Sequence, residues 1–157
     1  MATYCDSSVF IALYLPERHT QDLMRLVSDF RPRFLVTPLH KAEWSHAVFE
    51  RVSRGGLTSS DAQQVLARFE RDSVRRWREA DMPEGAMERS MALVRRHKKM
   101  LDVTTADAMH VACALELRAS QFWTIEKRCA DLATAAGLAV CRPGVGAPGR
   151  RRPDDDE

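Results

Sequence analysis

The segment TYCDSSVFIALYLP, residues 3–16, reads as a short strand followed at once by a helix. Thr3 to Cys5 form a compact apolar strand, the residues after them have helical character, and Pro16 stops the helix. Asp6 stands at the junction of the two elements, inside otherwise apolar sequence. A carboxylate there has to be solvated, paired or bound to a cation, because an isolated buried charge costs too much free energy. Asp6 is therefore the first candidate functional residue.

Strand and helix alternate in the same way along the rest of the chain. This order is typical of a parallel sheet covered by helices on both faces. We therefore predict an α/β fold, a three-layer sandwich with a central, mainly parallel sheet, and a helical hairpin arm at the turn Gly55-Gly56. Further strands are expected over residues 34–36, 121–125 and 138–141, with a short edge strand within 75–80. In a helix over residues 83–99, the side chains expected on or near the core side are Met87, Met91, Leu93 and Val94.

The composition suits a single domain. The chain has 157 residues, of which 45% are hydrophobic, and this is enough for one core and too little for two ordinary domains. We assign residues 1–141 to this domain and predict that residues 142–157, which are rich in Pro, Gly and charge, form a disordered tail. The sequence has no long apolar run and no signal-like N-terminus, so we expect a cytoplasmic protein without a membrane span. The four scattered cysteines fit reduced core thiols better than zinc ligands or disulfides.

Three further acids occupy positions similar to that of Asp6. Glu43 lies in a helix among apolar neighbours, Asp107 lies in the first turn of a strongly apolar helix, and Glu126 directly follows a strand. Each acid also has a simpler explanation, since Asp is common at helix N-termini and an acid after a strand is unremarkable. As a set they indicate more, because the carboxyl ends of parallel strands and the starts of the following helices share one edge of the sheet. We therefore expect the four carboxylates to converge on one cleft.

Carboxylates held that close repel one another unless a cation neutralises them. An Asp/Glu cluster without His or Cys fits a hard ion such as Mg²⁺ or Mn²⁺ better than it fits Zn²⁺. Such a site polarises phosphate oxygens and makes hydroxide from bound water, so phosphodiester hydrolysis is the natural reaction. One ion and two ions are both compatible with the sequence.

Several segments together match a known family, namely Tyr4 to Ser8, the helix bearing Glu43, Thr105 to Ala112, Phe122 to Glu126, and Ala136 to Leu138. With these segments the sequence resembles the PIN domain family, and its size and element order look most like the toxin ribonucleases of VapBC-type toxin–antitoxin systems. The resemblance covers residues 3–141 and implies a Mg²⁺- or Mn²⁺-dependent endoribonuclease. Its acidic triad would be Asp6, Glu43 and Asp107, with Asp6 and Asp107 as metal ligands. Glu126 would take a fourth acidic position that is more often Asp in the family, so it departs from the pattern.

By the same resemblance, Ser8 and Thr124 are hydroxyls that orient the acids or a metal-bound water. Helix capping by Ser8 and an ordinary strand-surface position for Thr124 are the alternatives. The family also implies a cognate antitoxin whose C-terminal segment lies across the toxin, a toxin homodimer, and a heterotetramer or larger assembly with the antitoxin. Apolar surface of the hairpin arm, residues 48–69, would suit either contact.

An RNA substrate would require positive charge near the acids. Basic residues occur in two clusters that could contact phosphates, although each of them could equally lie on a solvated face. His46 and His110 each lie three residues after an acid, and we interpret both as packing or outer-layer residues, because hard cations prefer oxygen. The competing function is a PIN-like RNA- or protein-binding module without turnover, which the departure at Glu126 makes possible. The basic clusters are Arg68, Arg71, Arg75, Arg76 and Arg78, and Arg95, Arg96, Lys98 and Lys99.

Overall fold

The computed structural model describes residues 2–100 and 102–143. Strands and helices alternate over these residues much as the sequence predicts. The predicted tail, residues 142–157, lies outside the described residues except for Arg142 and Pro143. No helix in the described ranges is long and apolar enough to cross a membrane. The elements are β1 (Thr3–Cys5), α1 (Ser7–Tyr14), α2 (Thr20–Phe30), β2 (Leu35–Val36), α3 (Pro38–Ser53), α4 (Ser59–Arg75), β3 (Arg78–Glu79), α5 (Ala86–Arg96), α6 (Thr105–Glu116), β4 (Gln121–Trp123), α7 (Lys127–Ala135) and β5 (Val140–Cys141).

All strand pairings in the described part of the chain are parallel. Strands β1, β4 and β5 form one sheet in the order β1-β4-β5, and β2 pairs with β3 in a second. A parallel bridge between Thr3 and Phe34 joins the two sheets. The strands therefore follow the order β5-β4-β1-β2-β3 and present their carboxyl ends to one edge. That edge is where a ligand site is expected in an open parallel sheet.

Successive strand residues point to opposite faces of the sheet and create two cores. On one face, Tyr4 and Phe122 pack with residues of α5, α6 and α7. On the other face, Cys5 and Trp123 pack with residues of α1, α2, α3 and α4. The predicted α/β sandwich with a parallel sheet is confirmed. The four cysteines are buried free thiols, as the sequence indicated, and the three tryptophans are buried in the core.

The helical hairpin is formed by α3 and α4. Gly55 adopts a left-handed conformation with φ of +74° in the turn, which suits a residue without a side chain. Val48 and Phe69, the two ends of the range expected to offer apolar surface, are themselves completely buried. Phe49 is exposed instead, at 59% of its full accessible area.

Helix α5 differs from its prediction in extent and in orientation. It begins at Ala86 rather than at Pro83, and it ends at Arg96. The residues that face the core are Ala86, Ser90 and Leu93, whose spacing matches one helical face. The small side chains of Ala86 and Ser90 let α5 lie close against α6. The prediction was correct for Leu93 and wrong for three residues that are about half exposed, namely Met87, Met91 and Val94.

Candidate active site

The four predicted acids all lie at or near the carboxyl edge of the sheet. Asp6 follows β1, and its N–H donates to the carbonyl oxygen of Trp123 at 3.0 Å, which joins it to the end of β4. Glu126 comes three residues after Trp123 and precedes α7. Glu43 is carried by α3, which begins two residues after β2, and Asp107 lies in the first turn of α6, which packs against β1.

The Asp6 carboxylate is buried and held by two hydroxyl groups. Thr124 Oγ1 donates to Asp6 Oδ2 at 2.5 Å, and Ser8 Oγ donates to Asp6 Oδ1. Asp6 occupies the N-cap position of α1 but makes no side-chain capping hydrogen bond, so helix capping does not explain it. Ser8 also accepts from the N–H of Ile125 at 3.3 Å, which ties α1 to the segment after β4. Both hydroxyls thus fix the orientation of Asp6.

Burial raises the pKa of Asp6 above its ordinary value. The charge of His110 and the hydrogen bonds from Ser8 and Thr124 lower that pKa, while the nearby charge of Asp107 raises it further. A second carboxylate near enough to disfavour the ionisation of Asp6 favours a cation at the same place. Asp107 is near enough to Asp6 to have this effect.

Arg128 lies between two of the acids. Asp107 Oδ2 accepts from the N–H of Thr104 at 2.8 Å, so Asp107 does help to cap α6, and it also accepts from Arg128 Nε at 2.7 Å. The same guanidinium reaches Glu126 Oε2 through Nη1 at 3.5 Å. In this arrangement Arg128 supplies the positive charge that Asp107 and Glu126 share.

Glu43 is held by a different set of partners. Ser7 Oγ donates to Glu43 Oε2 at 2.6 Å, and His110 Nε2 lies 2.5 Å from the same oxygen. The other nitrogen of His110 is 3.0 Å from the hydroxyl of Tyr4. Burial alone would raise the pKa of Glu43, but the hydrogen bond and charge of His110 and the hydrogen bond from Ser7 outweigh it and lower the pKa. Glu43 is therefore poised to remain ionised.

A second buried histidine supports this cluster. The ring centroids of His40 and His110 are 4.8 Å apart, and His40 Nε2 lies 2.7 Å from the carbonyl oxygen of Cys5. Burial, and then the charge of His110, lower the pKa of His40 to about 3, so His40 is neutral at ordinary pH. His46, by contrast, is exposed on α3, whereas His110 occupies the outer layer of the site as the sequence indicated.

The first predicted basic cluster lies in a different place from the acids. Arg78 is the first residue of β3, and Arg75 and Arg76 come just before that strand. The starts of parallel strands form the edge opposite to their carboxyl ends, so these three arginines are remote from the acids. The expectation that they supply positive charge beside the acids was therefore wrong. The second cluster, residues 95–99, lies at the end of α5 and in the connection that leads back to α6.

The arrangement of strands and acids can now be compared with known proteins. A family model described as the PIN domain matches residues 3–135. The chain belongs to the PIN domain family. No curated protein matches the sequence at a significant level.

Several solved structures share this PIN fold. The VapBC2 complex of Rickettsia felis bound to promoter DNA is 13% identical, with a TM-score of 0.65 over 90% of this chain and 98% of that one. VapC20 of Mycobacterium tuberculosis, a sarcin-ricin loop cleaving toxin, is 17% identical, with a TM-score of 0.63 over 90% and 99% of the two chains. FitAcB of Neisseria gonorrhoeae is 16% identical, with a TM-score of 0.66 over 90% and 97%. At these identities the comparisons show a common fold.

The donor set of this PIN domain fits a hard divalent cation. Asp6, Asp107 and Glu126 offer carboxylate oxygens, which Mg²⁺ and Mn²⁺ prefer. Within residues 2–100 and 102–143, however, no three acidic, histidine or cysteine side chains lie close enough to enclose an ion. Mg²⁺ commonly uses only one or two protein carboxylates and keeps several waters. Asp6 and Asp107 are the two buried carboxylates among the four acids, whereas Glu43 and Glu126 are only partly buried.

Sequence reasoning assigned no role to Ser7, Tyr4 or Arg128. Ser7 is adjacent to Asp6, and Arg128 lies in the first turn of a helix that starts at the active edge, so position alone could have suggested both. The contact between Tyr4 and His110 joins residues that are 106 apart in the sequence, and no local pattern signals it.

Proposed function

We propose that this PIN domain is a Mg²⁺- or Mn²⁺-dependent endoribonuclease and the toxin of a toxin–antitoxin system. The observation that supports the proposal best is the pair of buried carboxylates Asp6 and Asp107 at the carboxyl edge of a parallel sheet. Asp6 is 4% exposed and Asp107 is 6% exposed. Asp107 is paired with Arg128, whereas the Asp6 carboxylate accepts from two hydroxyl groups and has no ion pair within the described residues, so a bound cation would stabilise its buried charge.

Each residue of the site has a part in the proposed reaction. A divalent cation, when bound, polarises a phosphodiester and lowers the pKa of a water molecule. Asp6 and Asp107 would hold the cation, and Ser8 and Thr124 would keep Asp6 in place. Glu43, which stays ionised, would accept the proton of the attacking water. The described hydrogen bonds to Glu43 all use Oε2, and His110 keeps that oxygen oriented.

Glu126 has the least direct part in the proposed reaction. Its side chain is 44% exposed and is linked to the site through Arg128. We assign it to the rim of the site, where its longer side chain would reach a cation through a water molecule. Replacing Glu126 should therefore affect cleavage less than replacing Asp6 or Asp107.

The proposed partners are an antitoxin and a second copy of the toxin. Structural neighbours include toxin–antitoxin complexes from Rickettsia felis and Klebsiella pneumoniae. A groove of about 260 Å³ between α1, α2 and α4 would accept an antitoxin segment, because apolar residues such as Leu13 and Met24 line it together with Arg68 and Arg76. The exposed methionines Met87 and Met91 on α5 offer a separate face for a homodimer, and a heterotetramer or larger assembly would use both surfaces.

A second candidate function is a PIN-like RNA- or protein-binding module without turnover. The observation that favours it is Arg128, which already neutralises Asp107 and Glu126. A guanidinium in that position competes with any cation for the same oxygens.

Cleavage and binding assays distinguish the two functions. The purified protein, freed of any partner, is tested on a panel of tRNA, rRNA and mRNA. A ribonuclease cleaves at least one of these RNAs in Mg²⁺ or Mn²⁺ and loses the activity in EDTA. RNA that stays intact under every condition, but is bound, would favour the binding module. Cleavage that continues in EDTA would contradict a metal-dependent mechanism.

A further inference from the structure

Five arginines lie on one surface at the amino edge of the sheet. Two come from the connection between α2 and β2, and three come from the end of α4 and the start of β3. Four of them line a groove of about 380 Å³, and the fifth, Arg78, lines a neighbouring depression together with Arg33, Ala2 and Leu35. All five are exposed, namely Arg31, Arg33, Arg75, Arg76 and Arg78. We call this surface the arginine groove.

The arginines of this groove lack acidic partners within the described residues. Other basic side chains are paired: Lys41 binds both Glu70 and Glu79, and Arg89 binds Glu116. The ion pairs of residues 2–100 and 102–143 include none of the five groove arginines. Five like charges without acidic partners repel one another, and an anion bound among them would reduce that repulsion.

Local structure explains only part of this concentration of charge. Arg75 and Arg76 end α4, where positive side chains interact favourably with the helix dipole. The guanidinium of Arg76 also lies 4.5 Å from the ring centroid of Trp77, which restricts its position. Neither effect accounts for Arg31, Arg33 or Arg78, which belong to a loop and a strand start.

We propose that the arginine groove binds the phosphate backbone of RNA at a distance from the cleavage edge, an inference that rests on the proposed ribonuclease function. The groove and the adjoining depression form an elongated surface that matches a chain of phosphates better than a single anion. Arginine is the side chain best suited to phosphate oxygens, because its fork donates two parallel hydrogen bonds. Trp77 in the floor of the groove is buried, so it offers no ring for a base to stack on. The contacts are therefore to the backbone and independent of sequence.

The test is the salt dependence of RNA binding, measured by fluorescence anisotropy in EDTA so that no cleavage occurs. The variant carries Arg33→Gln together with Arg78→Gln. The matched control carries Arg18→Gln with Arg54→Gln, which removes the same charge from exposed arginines that line neither the groove nor the depression. Loss of two phosphate contacts should reduce the slope of log K against log salt by about 1.4 and weaken binding roughly tenfold at 0.15 M salt. The control should keep the native slope.

Three results would overturn the inference: a native slope in the groove variant, an equal loss in the control, or an effect on single-stranded DNA without one on RNA of the same sequence. A second groove variant, Arg31→Gln with Arg75→Gln, serves if the first does not fold. Measuring RNA cleavage as well as RNA binding distinguishes a failure of the proposed function from a failure of this inference. Protein that binds RNA through the groove but cleaves none would refute the ribonuclease, whereas protein that cleaves RNA without needing the groove for binding would refute only this inference.

Discussion

Replacing Thr124 by Val tests the electrostatics of the site through folding stability. The side chain keeps its shape but loses the hydroxyl that donates to Asp6 Oδ2 at 2.5 Å and accepts from the N–H of Glu126 at 2.9 Å. The first bond acts mainly on ionised Asp6, so its loss depends on pH. The second bond joins uncharged groups, so its loss does not.

The sign of the pH dependence follows from the raised pKa of Asp6. A carboxyl group whose pKa is higher in the folded state binds its proton more tightly there, so stability falls as pH rises from the unfolded pKa through the folded pKa. Because Thr124 lowers the pKa of Asp6, the Val variant carries a larger penalty once Asp6 is ionised. A hydrogen bond to a charged group contributes about 1.5–3 kcal/mol and a neutral one about 1 kcal/mol. We therefore expect a loss of roughly 2.5–4 kcal/mol at pH 8, which shrinks to roughly 1–2 kcal/mol once Asp6 is protonated.

The assay is urea unfolding of both proteins across a pH series without divalent ions. Thr134→Val is the control, because the hydroxyl of Thr134 donates to the carbonyl oxygen of Ala130 and touches no carboxylate. Its cost should stay constant with pH. If the Thr124→Val penalty is equally constant, the reasoning that the hydroxyl stabilises an ionised, buried Asp6 is refuted.

Two further predictions concern the outer layer of the site. Tyr4→Phe leaves a buried nitrogen of His110 without its partner, so it should lower the free energy of unfolding by about 1–3 kcal/mol in urea and also slow cleavage. The control Tyr14→Phe loses hydrogen bonds to Asp72 and Trp77 and should lower stability alone. Equal effects of the two changes on cleavage would contradict this prediction. Arg128→Gln removes the cation that pairs with Asp107 and Glu126. A partly exposed ion pair contributes about 1 kcal/mol, so the affinity for Mn²⁺, measured by calorimetry, should rise roughly fivefold. The control Lys127→Gln should leave the affinity for Mn²⁺ unchanged. Unchanged or weaker Mn²⁺ binding in Arg128→Gln would show that Arg128 does not compete with the ion.

The parts of the site that follow strand ends could be predicted from the sequence. Asp6 follows one strand and Glu126 another, and parallel strands bring such residues to the same edge whatever the details of packing. The sequence analysis grouped Arg75, Arg76 and Arg78 by their charge alone and did not apply this rule to them. These residues precede or begin a strand, so the rule that places the acids at the carboxyl edge places these arginines at the amino edge.

Side-chain partners and helix faces required the structure. In α5 the apolar residues Met87 and Met91 suggested a core face, but the helix turns Ala86 and Ser90 inward because small residues allow a closer approach to α6. Glu43 and His110 are 67 residues apart in the sequence, and their contact exists only because α3 and α6 meet at the same edge. The spacing of apolar residues along a helix indicates which face is apolar, but it does not indicate which other element packs against that face.

The most direct test of the account is the rate of RNA cleavage by Asp107→Asn in Mn²⁺ under single-turnover conditions. Asp131→Asn is the control, since it makes the same chemical change on the exposed face of α7, where Asp131 pairs with Lys127. Loss of a metal ligand worth about 4 kcal/mol in the transition state should slow cleavage roughly 1,000-fold, while the control cleaves at the native rate. Native-like cleavage by Asp107→Asn would contradict the claim that Asp6 and Asp107 hold the ion that drives hydrolysis.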